Sequence, residues 1–397
     1  MIQKLREFLD NAHSVYHGVA QLEKQLLSEG YTALKESENW NLKAGGKYYL
    51  TKDVNLNSRF AEIKNDDVFL CLNGMTVTAR AEGTDGKTNV YRLTGSGDLT
   101  ICDCNENAGT VTGASMGAIF TMTSATGTVN IYDGIFENNT TNESGAVVVL
   151  QNTTQLYIYG GEFKNNTATN NGGVVYVGGN SAATISGGTF TGNSAPKNGG
   201  AIYVLSKLDL QGGIFTGNTA GSVTGNNGAG IFFGGTELKI SGDPQITGNT
   251  VGGAPNNLYL ATGKVVTLGE LTEIGEYAFY DCALTSVTLP SGLEKIEAYS
   301  FYGCKLTEIE IPDSVTEVIT SAFEDCTSLT SVTIGNSVTS IGKYAFYNCD
   351  SLKTVVFEEG SVCENITSSA FLASSSSIVM FLSSIVVRPF FRFHTEV

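Results

Sequence analysis

A short motif recurs along the middle of the chain at a nearly constant interval. It reads IYDGIFENN from Ile131, IYGGEFKNN from Ile158, ISGGTFTGN from Ile185 and LQGGIFTGN from Leu210, with a weaker copy from Ile240. Successive copies begin 27, 27, 25 and 30 residues apart. Self-similarity at this period is typical of a solenoid, in which each repeat packs mainly on its two neighbours.

Each copy contains short apolar runs separated by glycine and asparagine, and such runs predict strands joined by turns. No helical pattern interrupts them, so the strands should pair in parallel, coil on coil, about 4.8 Å apart. The register then predicts an inward phenylalanine column of Phe136, Phe163, Phe190 and Phe215. It also predicts a corner ladder of Asn139, Asn166, Asn193, Asn218 and Asn249. Asparagine suits a corner because it tolerates left-handed backbone and its amide can bond to adjacent coils. The glycines are therefore interpreted as corners and not as a phosphate-binding loop.

Three upstream segments complete the pattern of opening coils. They are YYLTKDVNLN (48–57), VFLCLNGMTVTA (68–79) and VYRLTGSGDLTICD (90–103). Together with the repeats, they resemble the pectin-lyase-like β-helix domains of bacterial surface proteins. The resemblance implies a right-handed parallel β-helix over about 48–268, and it is specific for fold but not for function.

From Ile274 the period shortens. The copies IGEYAFYDCALTSVTLP, IEAYSFYGCKLTEIEIP, VITSAFEDCTSLTSVTIG and IGKYAFYNCDSLKTVVFE are followed by a degraded fifth, ITSSAFLASSSSIVMF. Their inward phenylalanines are expected to be Phe279, Phe301, Phe323, Phe346 and Phe371. This segment resembles the BspA-like leucine-rich repeats of bacterial and protist surface proteins, which implies protein or surface binding. The β-helix is expected to pass directly into these repeats near Val265–Ile274, as one continuous solenoid from about 48 to 381.

The eight cysteines do not suggest a disulfide framework. Four of them occupy one repeat position, and the fifth copy has Ser374 there; the four are Cys282, Cys304, Cys326 and Cys349. A straight column does not converge on a tetrahedral zinc ion, and its apolar neighbours favour inert core thiols. Cys102 and Cys104 are too few for a metal site.

The N-terminal residues follow neither repeat. Apolar spacing predicts two short helices over residues 2–9 and 15–26, with Ser14 as N-cap and Gly30 as the stop. The segment also resembles the extreme N-terminus of the aspartyl aminopeptidases, two-metal zinc peptidases, through FLDN (8–11), YHGV (16–19), LLSEGYTAL (26–34) and WNLKAGGKYY (40–49). The metal ligands and catalytic carboxylate of that family lie far downstream, so the resemblance transfers no catalytic residue. The helices and Trp40 would cap the open end of the β-helix.

These observations predict a mainly β chain with four segments. They are a helical N-terminal segment (1–47), a parallel β-helix (48–268), BspA-like leucine-rich repeats (269–381) and an irregular tail (382–397).

Charge and hydropathy restrict the partners. The 39 acidic and 23 basic residues give a net charge of −16, which disfavours nucleic acid and anionic lipid. No apolar run approaches the roughly 18 residues of a membrane span. The protein is expected to be a monomer. The repeats suggest a secreted or cell-surface protein, whereas the N-terminus shows no signal peptide, so the compartment stays open.

Catalytic side chains are scarce in the repeats. Histidine occurs only at His13, His17 and His394, and arginine is absent from 93 to 387. The repeats therefore lack both the histidine that would activate a nucleophile and the arginine that pectate-lyase chemistry uses. No catalytic residue, metal or cofactor is expected. Two weaker alternatives are a carboxylate pair, with Asp133, Glu162, Glu137 and Asp209 as candidates, and a calcium site at Asp98, Asp103 and Glu106.

The candidate binding face flanks the inward phenylalanines of the leucine-rich repeats. It comprises Tyr277, Tyr280, Tyr299, Tyr302, Tyr344 and Tyr347. Tyrosine offers a large, rigid contact area with a polar tip, which suits a binding surface. Residues 270–397 carry 17 acidic and 6 basic side chains, and this negative charge favours a basic partner. The alternative is that these rings only pack on neighbouring coils. The sequence therefore indicates a non-enzymatic adhesion or binding protein for an unknown protein or glycan. Its alternatives are an aminopeptidase-related fusion without catalytic residues, or a carbohydrate-active β-helix.

Overall fold

The fold is nearly all β. The computed structural model describes residues 27–28, 30–34, 46–56, 61–63, 67–79, 91–93, 95–105, 107–115, 117–122, 126–221, 228–242, 244–367, 369–374 and 379–382. Within these ranges, only Leu27 and Ser28 are α-helical. The chain divides into two compact units, Met1–Ala195 with Ala201–Ser206, and Pro196–Gly200 with Lys207–Val397. The predicted mainly β, parallel solenoid is confirmed.

The first unit is a parallel β-helix in which a typical coil gives one strand to each of three sheets. The first sheet contains, in order, Tyr31–Leu34, Gly46–Leu50, Val68–Cys71, Leu99–Cys102, Thr128–Ile131, Gln155–Ile158 and Ala182–Ile185. The second contains Val54–Asn55, Thr76–Thr78, Thr110–Thr112, Ile135–Glu137, Glu162–Lys164 and Thr189–Thr191. The third contains Ala61–Ile63, Tyr91–Leu93, Phe120–Met122, Val148–Leu150, Val175–Val177 and Ile202–Val204. A corner ladder adds Thr140–Thr141, Thr167–Ala168 and Ser194–Ala195.

The predicted phenylalanine column fills the interior of this unit. Phe136 pairs in register with Phe163, and Phe163 with Phe190. The ring centroids are 5.2 and 4.6 Å apart, and all three side chains are fully buried. The repeat period therefore predicted the core correctly.

The asparagine ladder is also confirmed. The Asn139 side-chain amide donates to Asn166 Oδ1 at 3.0 Å, and the Asn166 amide donates to Asn193 Oδ1 at 3.0 Å. Asn166 Nδ2 also donates to the carbonyl oxygen of Phe136 at 2.8 Å, and all three asparagines are fully buried. The buried amides are thus satisfied by the adjacent coils, as a corner ladder requires.

One detail of the corner differs from the prediction. The left-handed backbone lies one residue before each ladder asparagine, at Asn138 (φ 56°), Asn165 (φ 52°) and Gly192 (φ 66°). Asn138 and Asn165 are exposed, whereas the asparagine that follows each is buried. The exposed residue makes the turn, which leaves its neighbour free to direct its amide into the ladder.

The N-terminal segment 1–47, predicted as helical, contains a strand at Tyr31–Leu34. This strand pairs in parallel with Gly46–Leu50, so it adds one coil before the predicted start of the β-helix. Gly30 does end the short helical turn, with φ 82° and its N–H donating to the Leu27 carbonyl at 3.1 Å. The two predicted helices, Ser14, Trp40 and residues 383–397 of the tail lie outside the described residues.

A disulfide bond joins Cys71 to Cys104, contrary to the prediction that the cysteines form no disulfide framework. Cys71 pairs in register with Cys102 on the next coil, and Cys104 follows two residues later. Its Cα atom lies 6.4 Å from that of Cys71, within the range that a disulfide spans. Cys102 remains a buried free thiol beside them. The pairing depends on the coil register, which the separation of 33 residues does not reveal.

The second unit begins with further β-helix coils. Their strands are Lys207–Leu210, Glu237–Ile240 and Val266–Leu268 in one sheet, Ile214–Thr216 and Gln245–Thr247 in another, and Ile231–Phe233 and Leu258–Leu260 in a third. The corner strands are Thr219–Ala220, Thr250–Val251 and Ala254–Pro255, of which the last two pair antiparallel.

Two parallel sheets form the leucine-rich repeats of this unit. One contains Glu273–Ile274, Lys295–Ile296, Glu317–Val318, Ser340–Ile341 and Asn365–Ile366. The other contains Glu308–Ile311, Ser331–Ile334, Thr354–Phe357 and Val379–Leu382.

Within the second unit, the β-helix passes directly into the leucine-rich repeats. Asn249 Nδ2 donates to Asn257 Oδ1 at 2.9 Å, and Asn257 Nδ2 donates to the carbonyl oxygen of Tyr277 at 3.2 Å. The Cys282 thiol donates to the Leu258 carbonyl at 2.7 Å. These hydrogen bonds join the last β-helix coil to the first leucine-rich repeat, and they confirm the predicted junction without a linker.

Candidate functional site

The candidate binding face is positioned by the phenylalanine column beneath it. Phe279, Phe301, Phe323 and Phe346 are almost completely buried, and successive rings stack at 5.2, 5.1 and 5.2 Å. Because consecutive repeats share this column, residues beside each phenylalanine occupy equivalent positions on neighbouring coils. The two predicted tyrosine positions therefore form two columns on the outside of the turn.

The first tyrosine position has an unusual backbone. Tyr277, Tyr299 and Tyr344 have φ values of 58°, 56° and 61°, and Ser321 at the same position has 58°. A bulky side chain in left-handed backbone is uncommon and costs conformational energy. Hydrogen bonds to the next coil hold this conformation, as in Tyr277, whose N–H donates to the Ala298 carbonyl at 3.2 Å.

Four tyrosines form a block over the first two repeats. Tyr277 stacks on Tyr299 with ring centroids 5.0 Å apart, and Tyr280 stacks on Tyr302 at 4.7 Å. Across the columns, Tyr277 and Tyr280 lie 5.5 Å apart, and Tyr299 and Tyr302 lie 6.1 Å apart. The block is therefore a continuous aromatic surface two rings wide.

The other two tyrosines, Tyr344 and Tyr347, form a separate edge-to-face pair at 5.2 Å. All six side chains are half-buried. The structure thus brings the predicted residues together in two groups that both pack on their neighbours and present aromatic surface to solvent. Contact face and structural packing are both compatible with this geometry.

Carboxylates border the second column. The Tyr302 hydroxyl donates to Asp325 Oδ2, and Asn348 Nδ2 donates to Asp325 Oδ1 at 2.7 Å. The hydrogen bond to Asp325, followed by burial, raises the pKa of the Tyr302 hydroxyl well above its usual value. Burial and then the charge of Asp281 raise the pKa of Tyr280. Tyr280 and Tyr302 therefore stay protonated at neutral pH, next to the carboxylates of Asp281 and Asp325.

Asp325 and Asn348 also belong to this face, and neither was predicted from the sequence. They occupy the position just before the cysteine of each repeat, which reads Asp281, Gly303, Asp325 and Asn348. That polar column was visible in the sequence, but its contact with the tyrosine hydroxyl depends on how the turn folds.

Both tyrosine columns are interrupted at the third repeat. Glu324 takes the place of a tyrosine between Tyr302 and Tyr347, and its carboxylate has no hydrogen bond or ion pair among the described residues. Ser321 takes the place of a tyrosine in the other column and is fully buried, and its hydroxyl has no hydrogen-bond partner among the residues that the structure describes. The interruption leaves the third repeat without a tyrosine at either position of the face.

The cysteine column consists of inert core thiols, as predicted. Cys304, Cys326 and Cys349 donate to the carbonyl oxygens of the phenylalanines one repeat earlier, at 3.1, 3.2 and 3.3 Å. Burial raises the pKa of these thiols far above the usual value, and to about 12 for Cys349, so they stay protonated at neutral pH. Ser374 of the fifth repeat makes the same bond, to the Phe346 carbonyl at 2.6 Å.

Most of the carboxylates considered for catalysis or calcium binding have structural partners within the chain. Asp133 accepts from the Gly134 N–H at 2.8 Å, and Glu162 pairs with Lys164. Asp103 accepts the Gly74 and Asn105 N–H groups at 3.0 Å each, which holds the turn after the disulfide.

Two further candidate carboxylates, Asp98 and Asp209, also accept hydrogen bonds from residues of this chain. Asp98 accepts the Thr128 N–H at 2.7 Å, and Asp209 accepts from the Gln211 amide at 2.9 Å. Glu106 lies outside the described residues. Across the described part of the chain, no group of three or more histidine, cysteine or acidic side chains is placed to hold a metal ion. The same residues include no helix long and apolar enough to cross a bilayer.

Three protein families match separate parts of the chain. Residues 271–388 match the BspA type leucine rich repeat region in six copies, and residues 8–78 match the aminopeptidase I zinc metalloprotease (M18) family. Residues 160–178 and 187–205 match the Chlamydia polymorphic membrane protein repeat. The C-terminal repeats are thus of the BspA type, and the aminopeptidase match extends into the first β-helix coils.

The similar curated proteins share only the N-terminal segment. A probable M18 family aminopeptidase 2 of Clostridium novyi (strain NT) is 40% identical over 50 residues, which are 13% of this chain and 12% of the relative. The corresponding protein of Stutzerimonas stutzeri (strain A1501) is 39% identical over 51 residues, with the same coverage. The chain therefore spans about one eighth of the length of these relatives.

A solved structure is also similar over most of its length. It is a leucine rich cell surface protein from Faecalibacterium prausnitzii A2-165, 15% identical, with a TM-score of 0.29. The alignment covers 89% of this chain and 87% of the other.

Proposed function

We propose that this chain is a non-enzymatic binding protein that uses the tyrosine face of its leucine-rich repeats to attach to a protein or glycan at a surface. The main support is the block of Tyr277, Tyr280, Tyr299 and Tyr302, whose half-exposed rings form a rigid aromatic surface. Aromatic side chains held rigidly lose little entropy on binding, which makes them effective contact residues. The match of residues 271–388 to BspA-type repeats agrees with this role.

The disulfide supports an oxidising location. Disulfides form and persist in secreted and surface proteins and are rare in reducing compartments. The Cys71–Cys104 bond therefore favours a secreted or cell-surface site of action, where an adhesion function would be exercised.

Binding to defined glycan and protein arrays tests this proposal. The variant with Tyr280, Tyr302 and Tyr347 all changed to serine should lose the array signal while its midpoint of thermal unfolding stays close to that of the wild type. A matched control changes Tyr132, Tyr157 and Tyr159, a half-exposed tyrosine group of the first unit, to serine and should keep the signal.

The result would contradict the proposal if the face variant unfolded at much lower temperature without a separate binding defect. The tyrosines would then be structural. Equal loss of signal in the control would also contradict the assignment of binding to this face.

The aminopeptidase-related alternative rests on the 40% identity over 50 N-terminal residues. It requires a metal and hydrolysis, so zinc content and cleavage of a dipeptide with an N-terminal acidic residue distinguish it. We expect neither zinc in stoichiometric amount nor cleavage. Zinc that is lost on chelation together with hydrolytic activity would favour the enzyme.

A further inference from the structure

At the third repeat, Glu324 replaces a tyrosine in the second column, and we call the gap between the rings of Tyr302 and Tyr347 on either side of it the slot. Tyr302 and Tyr347 follow Phe301 and Phe346, and the intervening Phe323 stacks on both at 5.1 and 5.2 Å. Rings at positions two coils apart are therefore separated by about 10 Å, twice the coil spacing. No ring contact joins Tyr302 to Tyr347 in the described part of the chain.

The backbone confirms that one column contains all three residues. The carbonyl oxygen of Tyr302 accepts the Asp281 N–H at 2.6 Å, that of Glu324 accepts the Gly303 N–H at 2.8 Å, and that of Tyr347 accepts the Asp325 N–H at 2.9 Å. Glu324 therefore stands where its neighbours carry a ring, with an aromatic side chain on either side along the column.

The slot favours a cation. Glu324 is half-exposed and has no hydrogen bond or ion pair among the described residues, and Asp325 next to it adds a second carboxylate. A neutral ligand such as a sugar would leave the Glu324 charge unpaired, whereas a cation would neutralise it. The aromatic face already accommodates one cation, because Lys343 Nζ lies 4.8 Å from the centre of the Tyr344 ring.

We propose that the slot between Tyr302 and Tyr347 binds the guanidinium group of an arginine presented by a partner protein, with Glu324 as its counter-ion. A guanidinium is planar, stacks on aromatic faces and pairs with carboxylates through two parallel hydrogen bonds. Placed midway between the two rings, it would lie about 5 Å from each, within the reach of cation–π attraction. An ammonium group lacks the plane and the fork that this site fits. The inference specifies the partner chemistry of the proposed binding face and rests on that function.

Fluorescence anisotropy with a labelled hexaarginine peptide tests the slot on the full chain. We expect hexaarginine to bind several-fold more tightly than hexalysine, because only the guanidinium can stack. Glu324→Gln should weaken hexaarginine binding by about ten-fold, since it removes the counter-ion and keeps the shape. Glu308→Gln is the matched control, as it removes one charge from an exposed strand residue of the same repeats and should change affinity less than about two-fold.

Glu324→Tyr provides a second variant that is expected to fold, because it restores the residue of the neighbouring repeats. It fills the slot with a ring and should abolish the preference for arginine while raising the unfolding temperature. Chemical shifts of tyrosine rings labelled with carbon-13 should change at Tyr302 and Tyr347 when hexaarginine is added to the wild type.

Three results would overturn the slot. They are equal affinity for hexaarginine and hexalysine, equal effects of Glu324→Gln and Glu308→Gln, or retained arginine preference in Glu324→Tyr. The glycan and protein arrays test the binding face independently of the arginine slot. If the triple tyrosine variant loses its array ligand but Glu324→Gln does not affect hexaarginine, the binding face stands and only the arginine slot is wrong.

Discussion

Replacing Asn166 by alanine should destabilise the first unit by about 3 kcal/mol, within a range of roughly 2–5 kcal/mol. The Asn166 side chain takes part in four hydrogen bonds. Its Oδ1 accepts the Asn139 N–H at 3.1 Å and the Asn139 amide at 3.0 Å, and its Nδ2 donates to the Phe136 carbonyl at 2.8 Å and to Asn193 Oδ1 at 3.0 Å. All of these groups are buried.

The size of this destabilisation follows from the hydrogen bonds that the partners of Asn166 keep or lose when its side chain is truncated. The Asn139 N–H loses its acceptor, and a buried unsatisfied backbone donor costs about 1–3 kcal/mol. Two other partners keep one bond each, since the Asn139 amide still donates to the Val111 carbonyl at 3.0 Å and Asn193 Oδ1 still accepts the Asn166 N–H at 2.9 Å. Each of the three remaining lost bonds should therefore add only about 0.5 kcal/mol.

Urea unfolding followed by circular dichroism measures the loss, and amide hydrogen exchange of Asn139 locates it, because repeats can open separately. Asn180→Ala is the control, since its side chain is exposed, and it should change stability by less than about 0.5 kcal/mol. If Asn166→Ala cost no more than this control, or left exchange at Asn139 unchanged, the ladder would not be a significant source of stability.

Three further outcomes are expected. Phe190→Ala should cost about 3–5 kcal/mol in urea unfolding, because it removes a fully buried ring from the column, and a loss below about 1 kcal/mol would contradict the packing. Changing Cys71 and Cys104 together to serine should cost roughly 3–4 kcal/mol, from the loop of 33 residues that the disulfide closes, and addition of a reductant should then have no further effect. In an ultraviolet pH titration, Tyr302 should ionise above the ordinary tyrosine pKa of about 10, so the stability that its hydrogen bond to Asp325 provides is present below that pH and is lost as pH rises further. Tyr302→Phe should remove the late-ionising component, and an unchanged titration curve would show that the hydrogen bond is not formed.

The repeat sequence determined the features that recur once per coil. In a solenoid, a residue meets its equivalent one period later, so sequence spacing is also spatial contact. The ring column through Phe163 and Phe323 and the ladder through Asn166 could therefore be predicted from alignment of the copies alone. The same reasoning identified the two tyrosine columns.

The tertiary structure alone decided what falls outside this period. The Cys71–Cys104 disulfide depends on the register of two opening coils that share no clear repeat motif. Tyr31–Leu34 forms a strand because the Gly46–Leu50 strand of the next coil offers an edge for parallel pairing, and no repeat motif in the N-terminal segment indicated this extra coil. The hydrogen bond from Tyr302 to Asp325 joins side chains on different coils through the geometry of a left-handed turn, which spacing along the chain does not specify.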